Sequence, residues 1–331
     1  MNRVLKPEIL SDADECGRLG ILPGSLLFAV FGKPIAHSKS PLMQNAALAR
    51  LAAAGGEDSE KYARAKYFAF EVDPGKLGET LELFFEKGFC GINLTIPHKE
   101  LAMGCVSELD ASARAASACN TLARAGAGWK GYNTDGFGLE RAIGDNFGRS
   151  FDGADAVIIG AGGAARGAAF HICTPKNGAP NAFPAGRARS LTLANRSADR
   201  LEKLSADLRA AGFENSAYSL CDENFLKSVK PGSIIINATS VGLREGDAPV
   251  ADFSSLPGGC VFFDMPYADA RPTSSVAAAR AAGIPAAGGI SMLVWQGAKS
   301  LSIWTGKDAE FLARAMFEAV GNCETPKGGA A

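Results

Sequence analysis

Hydrophobic and polar positions alternate in two styles along this chain. From Ser25 to about Asn133, short β-rich runs are interleaved with longer stretches whose apolar residues recur at helical spacing. Residues 26–31, 67–72 and 91–96 are predicted strands, and 41–54 and 77–87 are predicted helices between them. Such alternation argues for a parallel or mixed sheet covered by helices. Residues 120–124 and 129–132, joined by a turn around Gly126 and Gly128, predict a hairpin.

The second style begins near Ala154. Residues 156–159 form a continuous apolar run of the kind buried on both faces of a parallel sheet. A helix is predicted at 164–173, a strand at 191–194, a charged amphipathic helix at 201–211, and strands at 234–237 and 261–263. Residues 174–189, rich in Pro, Gly and Asn, exceed the usual connection of about two to six residues. They read as a surface insertion. Helices are predicted at 292–304 and 309–320, and a disordered tail at 323–331.

Composition narrows the function classes. A length of 331 residues accommodates two domains, each with its own core. A net charge of -1 without a basic block argues against nucleic acid as a partner. No run approaches the roughly 18 apolar residues of a membrane span, and the start, with Glu8, Asp12, Asp14 and Glu15, lacks an apolar signal core. The eight cysteines are scattered without a C-x-x-C pair and only three histidines are present, so no metal site is expected. Reduced thiols in a cytoplasmic protein are the expectation.

The strongest chemical signal is V-I-I-G-A-G-G-A-A-R-G, residues 157–167. A buried strand runs into a turn at Gly160, Ala161, Gly162, Gly163 and Ala164. Glycine there permits the tight turn and lets backbone N–H groups at the helix start approach a pyrophosphate. At the end of the next strand an NAD site usually carries an Asp or Glu. This chain instead has Asn195, Arg196 and Ser197, with Arg200 one turn later. Two guanidinium groups suit a ribose phosphate and hence NADP, although Ser197 is equally compatible with an ordinary helix cap.

Other candidates are ambiguous on their own. Ser38 and Ser40 precede Pro41 and either cap a helix or bind a carboxylate. Lys99 follows a strand that ends in T-I-P-H; a cation near a helix N-terminus is mildly unfavourable, which invites a chemical role, yet most lysines are surface charges. Asp135 is a cap or a catalytic partner. Asn237 and Asp264 end strands where such folds gather ligands.

In order, the segments P-I-A-H-S-K-S-P, G-I-N-L-T-I-P-H-K-E, C-N-T-L, N-T-D-G-F-G-L, G-A-G-G-A-A-R-G, N-R-S, N-A-T-S-V-G, D-M-P-Y and M-L-V-W-Q resemble the shikimate/quinate dehydrogenase family over residues 31–304. The resemblance implies an α/β substrate domain at 25–140 that takes back the last helices, 290–322, and a Rossmann-type NADP domain at 141–289. An N-terminal extension, 1–24, precedes them. It implies reversible, NADPH-dependent reduction of 3-dehydroshikimate to shikimate in aromatic amino-acid biosynthesis. The alternatives are a quinate/shikimate dehydrogenase using NAD or NADP, and a non-catalytic metabolite sensor. By the same resemblance Lys99 and Asp135 form the catalytic pair. Ser38 and Ser40 bind the substrate carboxylate, and Thr95, Asn120, Tyr267 and Gln296 line the pocket. The nucleotide contacts would come from residues 160–164, Asn195, Arg196, Ser197 and Arg200, with Met265 and Gly289 beside the nicotinamide. A monomer or homodimer is expected. Cys119, Ser117 and Ser291 depart from the commoner family pattern without removing a catalytic group.

Overall fold

The computed structural model describes residues 3–174, 187–242, 244, 246–267 and 271–321. Most of the predicted insertion, 175–186, and the predicted tail, 323–331, lie outside the described residues. Two compact units divide the chain: Met1–Thr134 with Val294–Ala331, and Asp135–Leu293.

The first unit is built on a seven-stranded sheet of β1 (Val4–Leu5), β2 (Leu27–Gly32), β3 (Lys66–Glu71), β4 (Phe89–Leu94), β5 (Glu108–Leu109), β6 (Thr121–Ala125) and β7 (Gly128–Tyr132), in the order β1-β3-β2-β4-β6-β7-β5. β1 to β4 pair in parallel, while β4–β6 and the β6–β7 hairpin are antiparallel, so the sheet is mixed. The N-terminal segment set apart in the sequence enters this sheet through β1. All of β2 is buried, as expected for a central parallel strand covered on both faces. Under it the rings of Phe31, Phe70 and Phe89 surround Phe84, with centroids 4.7, 4.7 and 4.3 Å away.

The last helices are held by local fit. The helix Ala309–Val320 packs on the helix Ser40–Ala53. Trp304, near the end of the helix Ile290–Thr305, stacks on Phe28 at 5.0 Å and donates Nε1–H to the Leu122 carbonyl at 2.9 Å. Its indole fills the space above Gly91, where a Cβ would come within 2.2 Å of the ring. The bond joins residues about 180 positions apart, in space that Gly91 leaves open.

The second unit carries a six-stranded, wholly parallel sheet of β8 (Asp155–Ile159), β9 (Ser190–Asn195), β10 (Ser216–Ser219), β11 (Ile234–Asn237), β12 (Val261–Asp264) and β13 (Ala286–Gly288), in the order β10-β9-β8-β11-β12-β13. Counted from β8, this is the doubly wound nucleotide-binding order, whose direction reverses between β8 and β11. The helix Asp135–Phe147 packs on the helix Gly163–Cys173. A Cβ on Gly136 would lie 2.4 Å from the His171 ring, and Glu140 Oε2 meets His171 Nε2 at 2.9 Å. Arg187, its side chain only 5% exposed, pairs with Glu140 and Asp152.

Candidate active site

In the first unit the candidate residues gather at the carboxyl ends of β2 and β4. Thr95 N–H bonds to the Phe31 carbonyl at 2.9 Å and Lys33 N–H to the Ile96 carbonyl at 3.2 Å, so the two loops run side by side. Gly32 makes this possible, since a Cβ there would be 2.5 Å from Thr95 Cγ2. Ser38 and Ser40 stand at the start of the helix Ser40–Ala53. Ser38 Oγ accepts the Ser40 N–H at 3.2 Å, a cap-like bond, while the formal cap residue, Lys39, makes no side-chain cap bond. Capping and ligand binding are therefore compatible for this pair, because a hydroxyl oxygen that accepts still has its own proton to donate.

Lys99 sits in the short turn His98–Leu101. The turn is tied down by His98 N–H to the Thr95 carbonyl and Cys119 N–H to the Lys99 carbonyl, both at 2.8 Å. The Lys99 side chain is half-buried.

A buried polar network includes Asn120 and Gln296. Asn93, in the middle of an otherwise apolar strand, is its hub. Its Oδ1 accepts from Tyr67 Oη at 2.7 Å, and its Nδ2 faces the Asn120 carbonyl, Thr121 Oγ1 and Ser300 Oγ at 3.0, 3.1 and 3.0 Å. Burial holds the Tyr67 phenol well above the usual range, and the nearby Ser40 side chain opposes that shift. Asn120 Oδ1 accepts from Thr134 N–H at 2.8 Å, and Nδ2 reaches Gln296 Oε1 at 3.3 Å. Ser300, one turn after Gln296, donates to its carbonyl. Of the predicted substrate residues, Asn120 and Gln296 are thus joined to Tyr67, Asn93 and Ser300, which sequence reasoning missed. The available signal was a lone asparagine inside an apolar strand.

In the second unit the glycine turn lies at the reversal point of the sheet. Gly160 has φ of +125°, and a Cβ there would press to 3.1 Å against the Ala238 backbone on β11's exit loop. Gly162 is the helix cap residue, with open space where its side chain would be. These features fit a pyrophosphate cradle: backbone approach is unobstructed and helix N–H groups follow. Asn195 ends β9, and its amide donates to the Ser197 carbonyl at 2.9 Å. Ser197 occupies the cap position of the helix Ala198–Ala210 but makes no side-chain cap bond. Arg196 and Arg200 are exposed, and neither makes an ion pair with another described residue. A dianionic phosphate suits this donor set, and a ribose diol alone would leave both charges unanswered.

At the neighbouring strand ends, Asp264 is fully buried and accepts from Asn237 Nδ2 at 2.6 Å and from the Thr273 hydroxyl. Burial raises its pKa to about 6. Met265 N–H bonds to the Asn237 carbonyl. Gly289 packs on the Met265 backbone so closely that a Cβ would fall 1.9 Å from its carbonyl oxygen, which brings the predicted pair Met265 and Gly289 together. Asp135 heads the helix Asp135–Phe147, and Tyr267 follows β12. Among the described residues there is no group of acidic, histidine or cysteine side chains arranged for a metal ion, and no helix is long and apolar enough to cross a membrane.

Known proteins resemble this chain over most of its length. The family model for the shikimate dehydrogenase substrate binding domain matches residues 30–122, and that for the shikimate 5'-dehydrogenase C-terminal domain matches residues 289–316. The chain is 36% identical to the shikimate dehydrogenase (NADP(+)) of Moorella thermoacetica, covering 89% of this chain and 94% of the relative. It is 38% identical to that of Methanothrix thermoacetophila, covering 85% and 92%. The solved shikimate 5-dehydrogenase of Thermus thermophilus, in complex with NADP(H) and shikimate, superposes with a TM-score of 0.69 at 29% identity, over 89% of this chain and 99% of that one.

Proposed function

The chain belongs to the shikimate dehydrogenase family, and from that premise we propose that it interconverts 3-dehydroshikimate and shikimate with NADP(H), in the cytoplasm, as a step of aromatic amino-acid biosynthesis. A monomer or homodimer suffices for this activity. The observation that carries the reading is the array from Tyr67 through Asn93 and Asn120 to Gln296, neutral donors and acceptors fixed in place in the same unit as Ser38, Ser40 and Lys99. Such an array suits a ring bearing several hydroxyls and one carboxylate, because directional donors and acceptors discriminate between polar substituents.

NADP(H), when bound, supplies or accepts the hydride. The protein contributes position and the proton. Ser38 and Ser40 donate to the carboxylate, and Thr95, Asn120, Tyr267 and Gln296 bond the ring substituents. Lys99 donates to the ketone oxygen and stabilises the charge that develops on it. Asp135 accepts from a substrate hydroxyl as the second member of the catalytic pair, and the proton is assigned to the pair rather than to either group alone. Residues 160–164 hold the pyrophosphate, while Asn195, Arg196, Ser197 and Arg200 grip the ribose phosphate. Met265 and Gly289 shape the nicotinamide end.

Lys99→Ala tests the assignment. Turnover is expected to fall by about 10²- to 10⁴-fold, the usual worth of a positioned acid–base group, with NADPH affinity by fluorescence titration unchanged. Near-normal turnover would remove Lys99 from the chemistry.

A further inference from the structure

His98 precedes Lys99 in the same short turn, and its surroundings are unusual. The side chain is fully buried, yet neither ring nitrogen has a hydrogen-bond partner among the described residues. The Val72 carbonyl faces the ring without meeting bond geometry, and the Asp73 carboxylate and Lys33 ammonium are the charges whose fields act on it. Asp73 and Lys33 pair with each other at 2.9 Å. Val72 and Asp73 follow β3, Lys33 follows β2, and His98 follows β4. The imidazole therefore plugs the point where three loops converge, two of which carry Ser38, Ser40, Thr95 and Lys99. Burying an imidazole with unanswered nitrogens is costly, and an apolar ring would fill the same volume without that cost.

The covalent geometry connects the ring to the lysine. Successive residues of a helical turn point roughly 100° apart. A ring seated in the core at His98 thus fixes the direction in which Lys99 leaves the backbone. The two backbone bonds, from His98 N–H to Thr95 and from Cys119 N–H to the Lys99 carbonyl, hold the start of the turn, and the ring supplies the third point that sets its rotation.

We propose that His98 is a positioning residue for Lys99, which its neutral ring aims by anchoring the turn between the loops after β2 and β3 and which loses its aim when that ring is protonated. This rests on the reading of Lys99 as the residue that meets the substrate oxygen. Desolvation keeps the ring neutral to a pH below the ordinary imidazole value. Protonation places a second cation beside Lys33 and draws the ring towards Asp73, out of its seat.

The test is the pH dependence of kcat and of KM for shikimate and NADP+ in the wild type, His98→Ala and His98→Phe, with the folded fraction checked by thermal melting. His98→Ala is expected to lower kcat on the order of 10- to 100-fold, the scale of a misplaced reacting group, with KM for NADP+ within about twofold. His98→Phe is expected to recover most of that loss and to abolish an acid limb present in the wild type. If His98→Ala fails to fold, the His98→Phe profile decides. A folded His98→Ala with wild-type kcat, or a His98→Phe that keeps the wild-type acid limb, overturns the proposal. Those results require an active wild type; a wild type that never oxidises shikimate instead sinks the reaction reading on which this one stands.

Discussion

A single carboxyl group illustrates how the site shapes stability. Asp264 lies beneath the exit loops of β11 and β12, bonded to Asn237 and Thr273 but sealed from water. Its pKa rises from 3.8 to about 6. The folded state therefore holds this proton more tightly than the unfolded chain. The resulting contribution is fully present below about pH 4 and is lost as pH rises through about 6. The displacement corresponds to ~3 kcal/mol. Asp264→Asn keeps a hydrogen-bonding side chain without the charge, so its melting temperature relative to wild type should climb between about pH 4 and pH 8. Parallel melting profiles for the two proteins would show that the carboxylate is better solvated than its burial implies.

At the scale of elements, the proposal divides the work of holding a nucleotide between the ends of β8 and β9: glycines after β8 let the nucleotide approach the backbone, and cations after β9 select the phosphate. Replacing both Arg196 and Arg200 with Ala should raise KM for NADP+ by about 100-fold or more, given that each charge-assisted bond is worth on the order of 1.5 kcal/mol or more. The value of kcat should stay near that of the parent, and KM for NAD+ should be unaffected. Equal losses for both nucleotides would mean that the arginines hold the fold rather than the phosphate.

The same elements show what was legible in the chain. β8 declares itself as an unbroken apolar run before glycines, and the β6–β7 hairpin by its turn. β1 has only two residues, β13 is three small residues, and β10 is a largely exposed edge strand. Each is recruited by a neighbouring strand and carries little pattern of its own. Likewise Ser40, Lys99 and Asp135 stand out inside contiguous motifs. The Asn93 hub joins residues 26 to 207 positions apart, and no local spacing reveals it. The orphan ring of His98 is invisible for the same reason, since its isolation is a property of the packing of Val72, Asp73 and Lys33 around it.

At the scale of the whole molecule, the proposal gives one partner of the reaction to each unit: the substrate to the polar network and lysine of the first, and the nucleotide to the parallel sheet of the second. The central claim is that the pair being served is shikimate and NADP. The direct measurement follows NADPH or NADH absorbance at about 340 nm with shikimate and with quinate, in all four combinations and at about equal concentrations. The account predicts that shikimate with NADP+ gives the highest kcat/KM, by about tenfold or more over shikimate with NAD+, a margin of ~1.4 kcal/mol. Turnover confined to quinate with NAD+, or none in any combination, would contradict it.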